Sequence, residues 1–374
     1  MEKKLKIIFL GNAISIHTVK WAEFFAERGH EVHLVSYDDF RDKKSEKISL
    51  YIIGKKIPFK LWRINTLFNL PLAVFQAKRI IKRIKPDIIH AHYATSYGHL
   101  AAFTGFHPFA LTAWGSDILV TPRESIIAMK VVKSVLRKAD LITCDADHMK
   151  KAIAGLGAQE EKIKIINFGI DVNRFSPGQK DRDLAEKLGV SGSKTVISMR
   201  SFEPGYNLET LLEAMASVLK KYPNSKLIMV GGGTQEYFLK SLASKLNIQD
   251  NVKFAGLVPN DDLPKYLRLA DIYVSTSLSD GGIASSTAEA MACSLPVIIT
   301  DIGDNRKWVR DGENGFVIPV KSPAKLAERI IELLENENLR RSFGVKARQV
   351  IEERNSYQKE MLKMEEIYIN LAKK

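Results

Sequence analysis

The chain has 374 residues, 45% of them hydrophobic, which is enough to fill the cores of two domains of ordinary size. No apolar run reaches the roughly 18 residues of a membrane span, and two cysteines, Cys144 and Cys293, are too few for a disulfide framework or a zinc site, which fits a reducing, cytoplasmic setting. The net charge is +13, and residues 1–178 hold 28 Lys and Arg against 17 acidic residues; with no nucleic-acid-binding motif beside it, this basicity points to acidic substrates or anionic lipid.

Lys3-Lys4-Leu5-Lys6 followed by Ile7-Ile8-Phe9-Leu10 reads as a first strand, its apolar run being short and leading into Gly11-Asn12. Helical periodicity then runs from Trp21 to a stop at Gly29, and strands follow at Glu31–Val35 and Lys47–Ile53. This alternation is that of a doubly wound α/β domain. From Arg41 to Lys85, 13 basic residues face only Asp42 and Glu46 and surround Phe59, Trp62, Phe68 and Phe75. Such a mixture suits a membrane surface, although a domain helix packing its apolar face is the plainer reading.

Ile88-Ile89-His90-Ala91-His92 reads as a buried strand that places His92 at the carboxyl edge of a parallel sheet, where ligands bind. A second edge segment, Ala110 to Asp117, offers Asp117 as an ionisable candidate or as a helix cap. Asp145-Ala146-Asp147 has the form of a metal-binding triplet, but between a strand and a helix capping is the simpler function, and no metal is expected. Turn residues and helix breakers from Asn167 to Gly178 mark a boundary. A buried strand, Lys194 to Met199, restarts the pattern with Arg200 at its edge, and Leu227 to Val230 ends in Gly231-Gly232-Gly233. No Gly-x-Gly-x-x-Gly follows the first strand, which disfavours a nicotinamide enzyme and leaves no cofactor expected.

The most informative stretch runs from Ser275 to Pro296. Strand Asp271–Ser275 leads into Asp280-Gly281-Gly282, then Ser285, Ser286 and Thr287 as helix caps and a helix to Ala292. Amides behind such a glycine turn suit a phosphate or diphosphate. Glu289, in the first turns, can accept from the vicinal hydroxyls of a sugar or stand solvated on a capped helix.

This stretch, together with Glu289-Ala290-Met291-Ala292 and Leu295-Pro296-Val297, resembles the nucleotide-sugar motif of the family-four retaining glycosyltransferases. The segments Val252 to Pro259 and Asp311 to Phe316 extend the resemblance. It implies the GT-B fold, an α/β architecture of two Rossmann-like doubly wound domains with an interdomain cleft. Residues 1–172 would bind the acceptor, 173–355 the donor, and helix 356–374 would cross back to the first domain. It further implies that Arg200 and Asp280 serve catalysis, that Val258, Gly281, Gly282, Ile283 and Glu289 bind the donor, and that Asn12, His17, His92 and Asp117 are acceptor-side candidates. The implied partners are a nucleoside diphosphate sugar and a glycan or lipid-linked acceptor, without metal, at a cytoplasmic or inner-membrane location.

Three departures accompany the resemblance. Asp280 precedes Glu289 by nine positions where the family has a Glu eight before, Gly205 stands where the family carries a Lys, and Trp114 replaces a His. A nucleotide-sugar epimerase and a noncatalytic nucleotide-sugar binding protein are the rival readings.

Overall fold

The structure is a computed structural model describing residues 4–40, 46–54, 62–280 and 282–373, with the backbone alone for 62–69. Gly281, Arg41 and Phe59 lie outside the described residues, as do the side chains of Trp62 and Phe68. The chain divides into two units, Met1–Phe168 with Gln358–Lys374, and Gly169–Tyr357.

In the first unit the elements are β1 (Lys6–Leu10), α1 (Ile16–Glu27), β2 (Glu31–Ser36), β3 (Ile48–Ile52), α2 (Trp62–Ile84), β4 (Ile88–His92), α3 (Gly98–Thr104), β5 (Phe109–Thr112), α4 (Ser116–Leu119), α5 (Thr121–Glu124), α6 (Ile126–Lys138), β6 (Leu141–Cys144), α7 (Asp147–Gly155) and β7 (Ile163–Ile165). The strands form one parallel sheet in the order β3-β2-β1-β4-β5-β6-β7. Helix α1 starts five residues earlier than periodicity indicated, because Ser15 takes the N-cap and its hydroxyl accepts from Thr18 N at 3.4 Å.

The second unit repeats the plan with α8 (Arg182–Leu188), β8 (Thr195–Met199), α9 (Leu208–Lys221), β9 (Lys226–Val230), α10 (Glu236–Lys245), β10 (Val252–Gly256), α11 (Leu263–Leu269), β11 (Ile272–Ser275), α12 (Ser285–Ala292), β12 (Val297–Thr300), α13 (Asn305–Trp308), β13 (Gly315–Ile318), α14 (Pro323–Glu335) and α15 (Glu337–Arg354). Its parallel sheet has the order β10-β9-β8-β11-β12-β13. Alternate residues supply two cores. Val196, Leu227, Met229, Ile272 and Val274 face one side, and Ile197, Ile228, Tyr273 and Val297 the other. Burial on both faces explains why these strands are almost wholly apolar.

Both sheets reverse direction at one point, between β1 and β4 and between β8 and β11. A crevice opens outside the carboxyl ends of the strands at such a switch point, and ligands bind there.

The last helix, α16 (Tyr357–Leu371), returns to the first unit and is tied to it by buried polar groups. Glu360 accepts from Asn167 N at 2.9 Å. Glu365 accepts from Arg28 Nε at 2.6 Å and pairs with His30 Nε2 at 2.7 Å, while Leu5 N donates to His30 Nδ1 at 3.1 Å. The amide bond requires an unprotonated Nδ1, so Nε2 carries the proton that His30 donates to Glu365. Tyr368 OH meets His90 Nδ1, and His90 Nε2 lies 2.7 Å from Thr112 Oγ1.

Burial works to raise the Glu365 pKa, but the hydrogen bonds from Arg28 and His30 outweigh it and hold the carboxyl below its ordinary value. A carboxyl depressed by folding adds stability above its unfolded pKa of about 4.3 and loses it as pH falls through the folded value. Glu365→Gln should therefore cost about 1–3 kcal/mol at neutral pH. Denaturation measured across pH should show the gap from the parent closing as the solution turns acid; a gap that stays constant with pH would place the stabilisation elsewhere.

Candidate active site

At the switch point of the second unit, residues from separate strand ends converge on a cavity of 410 Å³ lined by Arg200, Tyr206, Gly231, Val258, Ser286 and Glu289 among others. Arg200 follows β8, Gly231 follows β9, Val258 follows β10, and Ser286 and Glu289 lie in the first turns of α12. Three of the residues singled out from sequence, Arg200, Val258 and Glu289, thus share one cavity.

Arg200 is positioned from several sides. Its Nη2 donates to Asp280 Oδ1 at 2.5 Å, with the two side chains only 9% and 11% exposed. Its Nη1 lies 3.5 Å from Ser286 Oγ, and its guanidinium carbon sits 4.4 Å from the centroid of the Tyr206 ring. The buried Nε has no protein partner. Tyr206 is itself held by a single turn of 3₁₀ helix, Pro204–Tyr206, in which Gly205 O accepts from Leu278 N at 2.8 Å and Tyr206 O accepts from Thr276 Oγ1 at 2.9 Å.

Backbone clearance makes this arrangement possible. A Cβ on Gly231 would lie 2.3 Å from Arg200 O, and one on Gly233 would lie 2.5 Å from Phe202 O. Both glycines also have positive φ, 145° and 158°. The glycine triplet that ends β9 is thus needed for the close approach of two strand ends.

Asp280 points at Arg200 and does not line the cavity. Burial raises its pKa, against the opposing effects of the Arg200 charge and hydrogen bonds from Arg200 and Ser277. Gly282 and Ile283 lie half-buried in the loop before α12, with the Ile283 side chain packed on the core. The expected serine cap is not formed. Ala284 holds the N-cap without a side-chain bond, and Ser286 Oγ instead meets Tyr273 OH at 2.8 Å because the helix starts two residues earlier than Thr287.

The acceptor-side candidates of the first unit fall into two groups around its own switch point. His92, 3% exposed, has Nδ1 3.1 Å from Thr18 Oγ1, while its Nε2 has no protein partner. Burial, and then the nearby His17, lower its pKa to about 3, so the ring is neutral. The Trp114 ring stands beside both histidines, at centroid distances of 5.5 Å to His17 and 5.6 Å to His92. His17 keeps an exposed flank, yet its burial against Trp114 and Phe168, followed by the Lys20 charge, lowers its pKa.

Asn12 and Asp117 are engaged with backbone. Asn12 Oδ1 accepts from Ile14 N at 2.8 Å. Asp117 is fully buried and accepts from Ala94 N at 2.7 Å and from Trp114 N and Gly115 N at 3.0 Å each. It lies inside the first turn of α4, where Gly115 is the N-cap, so it braces two edge loops where a cap was one expectation. Burial raises its pKa against those amide bonds. The edge also holds a feature that local patterning did not signal. Directly after His92 the chain forms a π-helical turn, Tyr93–Tyr97, with Tyr93 at a φ of 78°. Such turns and positive φ values at non-glycine residues gather at functional sites.

Among the described residues no group of three or more His, Cys, Asp or Glu is placed to hold a metal ion. In the Asp145–Asp147 triplet, Ala146 is the N-cap of α7 and makes no side-chain cap bond.

Comparison with known proteins places this geometry in a family. The profile of glycosyl transferases group 1 matches residues 179–350, and that of glycosyl transferase 4-like proteins matches residues 6–146. The chain is 28% identical over 350 residues to EpsD of Bacillus subtilis (strain 168), covering 88% of this chain and 86% of that protein. It is 24% identical over 358 residues to the N-acetyl-alpha-D-glucosaminyl L-malate synthase of Bacillus anthracis, covering 93% and 91%. Anabaena HepE in complex with UDP has the same fold, with a TM-score of 0.82 at 20% identity over 98% of this chain and 100% of that one; a second HepE structure contains UDP-glucose. With two Rossmann-like parallel-sheet units and both profiles in register with them, the chain belongs to the group 1 glycosyltransferases of GT-B fold and is an enzyme that transfers sugars.

Proposed function

We propose that the second unit binds a nucleoside diphosphate sugar in the 410 Å³ cavity and that the enzyme passes the sugar to a hydroxyl of a glycan or lipid-linked acceptor, with retention and without metal. One observation carries this reading: a buried arginine, a helix-borne carboxylate and the backbone after β10 converge on one cavity at a sheet switch point. HepE, which shares the fold, binds UDP and UDP-glucose, in keeping with a nucleotide-sugar donor here.

In this mechanism Arg200 meets the diphosphate and stabilises the charge that builds as the bond to the anomeric carbon breaks. Amides of the 281–283 loop and the start of α12 add to that stabilisation. Glu289 holds the ribose hydroxyls, Val258 borders the base, and Asp280 keeps Arg200 in place near the donor sugar. The departing phosphate takes the proton of the attacking hydroxyl, so no separate base is needed. On the first unit, His92, His17 and the loops braced by Asp117 and Asn12 form the acceptor side. The basic surface of that unit makes an anionic membrane the proposed site of action, on the cytoplasmic face.

Thermal denaturation with a panel of nucleoside diphosphate sugars tests the reading directly. A donor at about 100 times its dissociation constant adds roughly 2.7 kcal/mol, so one member should raise the melting temperature clearly. No shift with any member would remove the proposed donor site.

Turnover of that donor should persist in excess chelator. Activity that vanishes with chelator and returns with magnesium or manganese would overturn the metal-free mechanism.

Arg200→Ala should lower turnover by about a hundredfold to a thousandfold, the usual cost of removing one preorganised donor to developing charge. Glu289→Gln, by contrast, should mainly raise the Michaelis constant for the donor, because a ribose contact acts equally in ground and transition states. A folded Arg200→Ala enzyme with near-normal turnover would show that the diphosphate sits elsewhere.

A further inference from the structure

Helices α2, α3 and α6 form one layer of the first unit, with α3 packed against both others. Ala73, Ala77, Leu100, Val132 and Val135 from these helices share a single core. The layer is strongly cationic: α2 carries five Lys and Arg and α6 four, and the three helices contain no Asp or Glu. Between Asp117 and Asp140 the sole acidic residue is Glu124.

The same layer exposes large apolar side chains where a soluble helix would place polar ones. Ile126 and Ile127, the first two residues of α6, are 74% and 76% exposed, and Val120, the N-cap of α5, which packs against α6, is 52% exposed. Along α6, Ile126, Lys130, Lys133 and Arg137 recur at helical spacing and make one stripe, on the side away from buried Val132 and Val135. Phe103 on α3 and Phe75 on α2 add exposed rings, with Lys138 Nζ 5.2 Å and the Arg79 guanidinium carbon 5.8 Å from their centroids.

We propose that the Val120, Ile126 and Ile127 ridge inserts into an anionic lipid bilayer while the lysines and arginines of α6 and α2 meet its phosphates. This deepens, and rests on, the membrane partner proposed above; it names the inserting ridge, which lies outside the 41–85 segment. Charge argues for this occupant. Lysine and arginine stems lie along apolar surface while their heads reach the headgroup level, and a helix with an apolar edge and a basic stripe is suited to that interface. A second copy of the chain is disfavoured, because a two-fold contact would set each cationic layer against its twin.

The test uses the full chain with vesicles of phosphatidylcholine, with and without phosphatidylglycerol, at low and high salt, followed by sedimentation. The parent should bind the anionic vesicles and lose affinity as salt rises. Ile126→Ser with Ile127→Ser should weaken binding about tenfold or more, since two exposed isoleucines lose their apolar contact. Lys130→Glu with Lys133→Glu should remove the preference for anionic lipid. Both variants should keep the parent melting temperature and its donor-induced shift, which separates failure of the membrane surface from failure of the donor site. Unchanged vesicle binding by the isoleucine variant overturns the insertion, as does absence of the parent from anionic vesicles. A parent dimer that the isoleucine variant breaks without altering vesicle binding reassigns the ridge to a second copy.

Discussion

The candidate site depends on how closely two strand ends can run past each other. The chain leaving β8 passes the loop leaving β9 with Phe202 N donating to Gly232 O at 2.9 Å and Gln235 N donating to Phe202 O at 2.8 Å. Only glycine at 231 and 233 leaves room for the carbonyls of Arg200 and Phe202. Phe202, 1% exposed, anchors the turn in the core. The direction of the Arg200 side chain is therefore a consequence of backbone packing behind it.

The charge on that side chain is managed locally. Taking a guanidinium and a carboxylate out of water costs several kcal/mol per ion, and their attraction repays this only when further contacts accompany it. Here Tyr206 stacks on the guanidinium and Ser286 stands at its other edge. The turn carrying Tyr206 runs from Pro204 through Gly205, and it lays an aromatic face next to Arg200. In the proposed reaction, Asp280 serves as counterion until the diphosphate arrives beside it.

The first unit solves a different problem with a different device. Its central strand β4 carries His90 and His92, and α16 reaches back to bond His90. Tyr368 and Thr112 bond the two nitrogens of His90, and Glu365 engages His30. Buried polar groups with complete partners specify one packing arrangement, since a slipped helix would leave several unsatisfied at once. His92 Nε2 and Trp114 Nε1 have no protein partner, and both lie at the carboxyl edge of the sheet.

Strands such as Ile7–Leu10 and Leu227–Val230 were legible because a parallel strand buried on both faces must be an unbroken apolar run. Arg200 was legible as a position because it directly follows a strand and Glu289 because it lies in the first turns of a helix, whereas Val258 came from the family resemblance that the motif around Glu289 carried. The order of the strands was not legible, since it is set by hydrogen bonds between segments far apart in the chain. Nor were the side-chain partners. Asp280 lies 80 residues from Arg200, and nothing local distinguishes a carboxylate aimed at a sugar from one turned onto an arginine. The same limit hid the work of Gly231 and the bracing by Asp117, whose three amide donors come from two loops. Periodicity and turn chemistry are written in neighbouring residues, whereas clearance, pairing and burial of charge exist only once the distant segments have met.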